Sequence, residues 1–147
     1  MYSIELLNLN EVVSALNSFP EKAGVNVNDA IRKSVVTIQR EAMKGAPVDT
    51  GKLRADWDLS YSHLSGTLRN RSKYAIFMEE GTRPHFPPLE AVTPWANRHG
   101  IAPFMVARAI ARKGTKARRF FGNAIEGTKT TVNEFFTEAL NKTMQEI

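Results

Sequence analysis

The chain has 147 residues, of which 42 % are apolar and 24 % are charged, a composition typical of one ordinary globular domain. It contains no cysteine, which excludes disulfides, thiolate catalysis and zinc–sulfur sites. No apolar run approaches the roughly 20 residues that span a bilayer, and no secretion signal is visible, so we expect a protein made in the cytoplasm without membrane contact.

Two helices are predicted in the first third of the chain. Asn10 is predicted to cap a short helix that ends near Ser18, because Pro20 follows. A longer helix is predicted from about Asn28 to Lys44, since apolar residues recur there at helical spacing and a glycine and a proline follow. The apolar stripe consists of Val27, Ile31, Val35, Ile38 and Ala42.

A hairpin and a short helix are predicted next. From Trp57 to His63, large side chains alternate with small polar ones, and this period of two indicates a half-buried strand. Ser65-Gly66 is the predicted turn, and Thr67–Ser72 the returning strand. Tyr74–Glu80 is predicted to form one or two helical turns, closed by Gly81.

The last part of the chain is predicted to be helical after an exposed proline-rich loop, Arg83–Pro88. Thr93-Pro94 is predicted to begin one helix, and Pro103–Lys113 to form another. A final amphipathic helix, Val132–Met144, is predicted to be separated from an earlier turn by Gly127.

The predicted fold class is therefore α+β, with N-terminal helices, a small antiparallel sheet and C-terminal helices packed on the sheet. We expect a single domain, residues 1–147, in which residues 83–119 form a proline-rich and then basic insertion.

The net charge of +5 is concentrated in residues 108–119, which contain six cations and no acid, while the rest of the chain carries −1. These cations are Arg108, Arg112, Lys113, Lys116, Arg118 and Arg119. Two interpretations stay open: contact with nucleic acid, or a solvated surface. If all six contacted phosphates, the logarithm of duplex affinity would fall with the logarithm of salt with a slope of about −5.

Motifs for catalysis and metal binding are weak. Asp49-Thr50-Gly51 is the tripeptide of aspartic proteases, but a helix precedes it and Lys52 follows, which favours a turn in which Asp49 bonds nearby backbone. The segment from Gly45 to Lys52 has the wrong spacing for a phosphate-binding loop, and Leu53 replaces its Ser or Thr. The three histidines, at positions 63, 85 and 99, show no metal-ligand spacing. We expect no enzyme activity, no metal and no cofactor.

Two short segments carry the most informative pattern. The first is a Pro-x-Asp-Thr-Gly-x-Leu-Arg turn, and the second begins with Tyr-Ala and ends with an acid before Gly-Thr. The pattern comprises Pro47, Asp49, Thr50, Gly51, Leu53, Arg54, Tyr74, Ala75, Glu80, Gly81 and Thr82. In order and spacing it resembles the small tail-component, gene 10 product-like family of lambda-like long-tailed bacteriophages. The resemblance covers roughly Ile31–Thr82 and, more loosely, Pro103–Leu140; the long insertion departs from shorter members.

The resemblance implies a structural virion protein of the tail or neck, made in the bacterial host cytoplasm. It implies head–tail connection or tail completion by a homo-oligomeric ring, for which a hexamer is one candidate, around the DNA channel. Other neck or tail proteins are the implied partners. The basic segment would give sequence-independent contact with the genome, and exposed Phe86 and Leu89 would form a subunit interface. The alternative is an accessory nucleic-acid-binding protein that uses residues 108–119.

Overall fold

The computed structural model describes residues 9–146, except the side chains of residues 9–13, 15 and 16. The predicted α+β class is confirmed: a long N-terminal helix is followed by a two-stranded antiparallel sheet and then by further helices. The elements in chain order are α1 (Leu9–Gly45), α2 (Lys52–Ala55), β1 (Trp57–Ser62), β2 (Ser65–Asn70), α3 (Ala75–Glu80), α4 (Leu89–Arg98), α5 (Pro103–Lys113) and α6 (Phe120–Gln145).

The two predicted N-terminal helices are one continuous helix, so the break expected before Pro20 is wrong. Proline lacks the N–H that would bond the carbonyl four residues earlier. Because Pro20 is exposed, water can solvate that carbonyl and the helix continues. The predicted apolar stripe over Asn28–Lys44 does lie on this helix, and its members Val35 and Ala42 are buried.

The hairpin is confirmed, but its turn lies two residues earlier than predicted, at His63-Leu64. Leu64 has a positive φ of 52°, and its N–H donates to Asn28 Oδ1 at 2.8 Å, which holds the turn against α1. Gly66 lies in β2, where a Cβ would come within 2.7 Å of Ile31 Cγ2. This glycine therefore permits close packing of a strand on a helix.

Two further helix boundaries differ from the prediction. α4 begins at Leu89, and Pro94 lies inside it, so Thr93 is no N-cap; its hydroxyl instead donates to the Leu89 carbonyl at 2.7 Å. α6 runs through Gly127, where an added Cβ would meet no atom within 4 Å. A glycine in an open helical position lowers stability by only about 1 kcal/mol, which the apolar face of α6 outweighs.

The chain forms two compact units. The first consists of the described residues up to Thr37, Leu59–Thr67 and those from Thr128 onward. In it, Asn26 Nδ2 donates to Thr143 Oγ1 at 3.1 Å. Asn26 and Thr143 are both buried, as are Ala30 and Ala139, one helical turn from them along α1 and α6, and the hydrogen bond brings the two helices together there.

The second unit consists of Ile38–Asp58 and Leu68–Gly127. Its core is built around Leu53, which is fully buried, and Trp57, whose ring packs edge-on against Phe120 with centroids 6.4 Å apart. Alanines on the adjoining helices, Ala96 and Ala107 among them, are also fully buried. Both predicted motif segments lie in this unit. Across residues 9–146, no helix is long and apolar enough to cross a membrane.

Candidate functional site

The Pro-x-Asp-Thr-Gly turn begins where α1 ends, and Arg54, which follows it in α2, caps that helix. Gly51 has a left-handed φ of 78° and lets the chain enter α2. From α2, Arg54 reaches back, and its Nε donates to the Ala46 carbonyl at 3.2 Å and its Nη2 to the Lys44 carbonyl at 3.3 Å. A helix leaves its last carbonyls without partners, so a guanidinium placed here satisfies them and complements the helix dipole.

Leu53 fixes the same turn to the second strand. Its side chain is buried, and its carbonyl accepts a 2.7 Å hydrogen bond from Asn70 Nδ2. Asn70 Oδ1 in turn accepts from the N–H of Ser72, at 3.0 Å. The Leu-Arg pair of the motif therefore has a structural role: one residue fills the core and the other caps a helix.

Asp49 forms a two-pronged ion pair with Arg98 of α4. Arg98 Nε lies 3.0 Å from Asp49 Oδ1, and Arg98 Nη2 contacts Oδ2. The hydrogen bond from Arg98 lowers the pKa of Asp49 below its ordinary value and raises the pKa of Arg98. The sequence had favoured a bond from Asp49 to nearby backbone, but its partner in the structure is a side chain 49 residues away. The contact joins the turn to the 83–119 segment.

The second motif segment forms α3, as predicted, with Tyr74 at its N-cap position and Gly81 at its end. Its two acids have different environments. Glu79 accepts from the N–H groups of Phe121 at 2.9 Å and Gly122 at 2.8 Å, so its carboxylate caps the start of α6. Glu80, the predicted motif acid, is exposed and forms no ion pair within residues 9–146.

Gly81-Thr82 pairs with another Gly-Thr dipeptide, at positions 114 and 115, whose role was not predicted from the sequence. The N–H of Thr82 donates to the Thr115 carbonyl at 3.0 Å, and the N–H of Thr115 donates back at 3.2 Å. Both glycines have positive φ, and a Cβ on Gly114 would overlap the Thr82 carbonyl oxygen. Gly-Thr occurs four times in the sequence, so its repetition did not single out positions 114 and 115. The Thr82–Thr115 pairing closes the base of residues 83–113.

The six cations predicted to face DNA all lie on the surface. Arg108, Arg112 and Lys113 belong to α5, and Lys116 follows it. The backbone N–H groups of Arg118 and Arg119 donate to the carbonyls of Met78 and Glu79 at 2.8 and 3.1 Å, and both residues are exposed. In the described part of the chain, none of the six forms an ion pair.

An apolar surface adjoins this charge in the second unit. Phe86 and Phe104 are each 55 % exposed, and their rings pack with centroids 6.1 Å apart. Leu89 and Met105 are exposed beside them in sequence. The predicted interface residues Phe86 and Leu89 are therefore accessible. The structure adds Phe104 and Met105 to this surface; both lie on α5, for which the sequence predicted a function only from its positive charge.

The histidines are dispersed. His63 lies in the first unit, where it lines a cleft of about 250 Å³ with Arg32 and Tyr61, and the Arg32 guanidinium lies 4.6 Å from the centre of the tyrosine ring. His99 follows α4 and stacks on Trp95, with ring centroids 4.1 Å apart. Across residues 9–146, no cluster of three His, Asp or Glu side chains could hold a metal ion.

Comparison with known protein families gives a match in the N-terminal part of the chain. Residues 10–81 match the family model described as "Bacteriophage HK97-gp10, putative tail-component". The matched part, a little under half of the chain, contains both motif segments except Thr82, so the predicted resemblance is confirmed there. The insertion and α6 lie outside it. No match was found among curated proteins or among solved structures.

Proposed function

On the premise that residues 10–81 match the HK97-gp10-like family of phage tail components, we propose that this chain is one subunit of a ring that completes the tail or joins it to the head. The ring would encircle the channel through which the genome passes. Its other contacts would be with neighbouring tail or neck proteins. Its role is structural, without chemistry of its own.

The observation that carries the proposal is the exposed apolar surface on a segment with a fixed base. Phe86, Phe104 and Met105 are more than half exposed within one short stretch of chain. Soluble monomers seldom expose large apolar side chains in contiguous groups, because water contact with such a patch is unfavourable. The Thr82–Thr115 bridge and the Asp49–Arg98 pair hold this segment to the rest of its unit, which suits a pre-organised interface.

The motif residues support the proposal indirectly. Gly51, Leu53 and Arg54 build the scaffold, and Gly81 and Thr82 anchor the exposed segment to it. In this chain the motif residues thus hold a surface in place. A closed ring needs that surface to meet a different face of the neighbouring subunit.

The basic segment suits contact with the genome in the channel. Its cations are exposed and free of ion pairs in the described residues, so phosphate would meet them without first breaking a protein salt bridge. Weak, sequence-independent attraction is what a channel requires, since tight binding would slow ejection. The slope of affinity against salt measures how many of the cations take part.

The same observation supports the second candidate, an accessory nucleic-acid-binding protein that uses residues 108–119 without forming a ring. The two functions differ in the free protein. Nanomolar affinity of the isolated monomer for duplex DNA at physiological salt would favour the accessory role, since nonspecific contact alone gives about 10⁻⁴ to 10⁻⁶ M.

Complementation in infected cells tests the proposed interface. A phage with an early stop codon in this gene is supplied with the protein from a plasmid, either unchanged or with Phe86→Ser and Leu89→Ser. We expect the variant to stay folded but to yield few infectious particles. Val25→Ser with Leu140→Ser, which are equally exposed in the first unit, is the matched control and should complement normally. Normal infectivity of the Phe86/Leu89 variant would refute this interface.

A further inference from the structure

α3 exposes a stripe that none of the contacts described above uses. Ile76 is 58 % and Phe77 53 % exposed, and Glu80 follows one helical turn after Ile76. Glu79 caps α6, but Glu80 has no ion pair among residues 9–146. The motif thus contains an acid that has no ion-pair partner in the described part of the subunit, beside two large apolar side chains in water.

α5 exposes a stripe of the same length and opposite charge. Phe104 and Met105 are 55 % exposed at its start, and Arg108 lies one helical turn after Phe104. The inward face of this helix is formed by Ala107, which is fully buried, so the exposed stripe cannot turn inward without exposing the core.

The two stripes match in order and spacing. Each has an aromatic or aliphatic pair followed by a charge four residues after its first member: Ile76, Phe77 and Glu80 on α3, and Phe104, Met105 and Arg108 on α5. Residues four apart on a helix lie about 6 Å apart on one face. Two such helices laid side by side in the same direction would bring apolar pair to apolar pair and carboxylate to guanidinium.

We propose that α3 of one copy of this chain packs against α5 of a second copy, with Glu80 paired to Arg108 across the contact. The inference rests on the proposed ring and names the surfaces that would form it. A second copy is the occupant because the chain itself carries both halves of the matched pair. Phe86, which packs on Phe104, would extend the apolar part of the contact.

The absence of cysteine from the chain allows a direct test. Ile76→Cys and Met105→Cys are prepared as separate proteins, one with an affinity tag, then mixed and oxidised. We expect tagged–untagged dimers, several-fold above those from a mixture of Val25→Cys and Met105→Cys, because Val25 is equally exposed but lies outside the proposed contact. Equal yields in the two mixtures would overturn the proposal.

A charge exchange tests the pair itself. Glu80→Arg and Arg108→Glu should each weaken self-association in sedimentation experiments, and the double variant should recover most of it. Failure of the double variant to recover, or a wild-type protein that stays monomeric at cross-linking concentrations, would contradict the α3–α5 contact. The role of the gene in the tail is measured separately, with a stop-codon phage, so failure of this contact and failure of the proposed function are distinguishable.

Discussion

Thr82 and Thr115 are joined by two backbone hydrogen bonds, and their hydroxyl oxygens lie 2.9 Å apart. This bridge brings together the two ends of a segment that contains α4 and α5. It depends on the glycine before each threonine, because the backbones approach too closely for a Cβ. The Gly81-Thr82 dipeptide therefore anchors a surface that lies outside the two motif segments.

Gly114→Ala should lower the free energy of unfolding by about 2 kcal/mol or more, because it combines a strained positive φ with a Cβ that overlaps the Thr82 carbonyl oxygen. Urea denaturation measures the change. Gly100→Ala is the matched control: its φ of 66° is similarly positive, but no atom lies within 4 Å. Gly100→Ala should lower the free energy of unfolding by the backbone strain alone, about 1 kcal/mol. Equal destabilisation of both variants would contradict the importance of the close approach.

Glu79→Gln should destabilise the protein by about 1 to 2 kcal/mol, since the two carboxylate oxygens each accept a backbone N–H at the start of α6 and an amide offers only one acceptor. The neighbouring change Glu80→Gln should alter the unfolding free energy by less than about 0.5 kcal/mol, because Glu80 is exposed. Both are measured at dilute concentration to exclude self-association. A larger effect for Glu80 would reverse the roles assigned to the two acids.

The Asp49–Arg98 pair predicts a pH dependence. Arg98 holds the pKa of Asp49 below its ordinary value of 3.8 by hydrogen bonding to the carboxylate. The stability this pair contributes is therefore fully present above the ordinary pKa and is lost as pH falls through the lower, folded-state pKa. A carbon NMR titration should show the pKa of Asp49 rising towards 3.8 in Arg98→Met. An unchanged pKa in that variant would show that the ion pair does not persist in solution.

The basic segment predicts a salt-dependent contact with duplex DNA. Arg118→Ala with Arg119→Ala should reduce the magnitude of the salt slope of binding by about 2, because each cation that neutralises a phosphate contributes about 0.9 to that slope. Their backbone hydrogen bonds do not involve the side chains, so the fold should be retained. Lys52→Ala with Lys129→Ala removes the same charge outside the segment and should leave the slope nearly unchanged. A similar reduction by both pairs would mean that net charge alone drives binding.

Much of the local structure could be predicted from periodicity. The apolar stripe of α1, the alternation of β1 and the glycine at the end of α3 each predicted an element that the structure contains. The errors fell on residues whose usual effect depends on context. Pro20 and Gly127 normally interrupt helices, but both lie where the helix faces open space, so each costs little and the continuous apolar face prevails.

The candidate site could be predicted only in part. The motif residues were identifiable, but their partners Arg98, Asn70 and Thr115 lie far along the chain, and no local pattern announces such a contact. Which of the two acids, Glu79 or Glu80, caps α6 also depends on where the start of α6 lies in the folded chain, which the local sequence does not show. The sequence did not show whether Phe104 and Met105 are exposed or buried, because α5 has apolar residues on both its exposed and its buried side.

Electron microscopy of a lysate from a phage with an early stop codon in this gene tests the central claim most directly. The account predicts filled heads that accumulate apart from tails, or beside defective tails, and restoration of complete particles when the intact protein is supplied. Normal, infectious virions from the stop-codon phage would contradict a role in tail completion or head–tail joining.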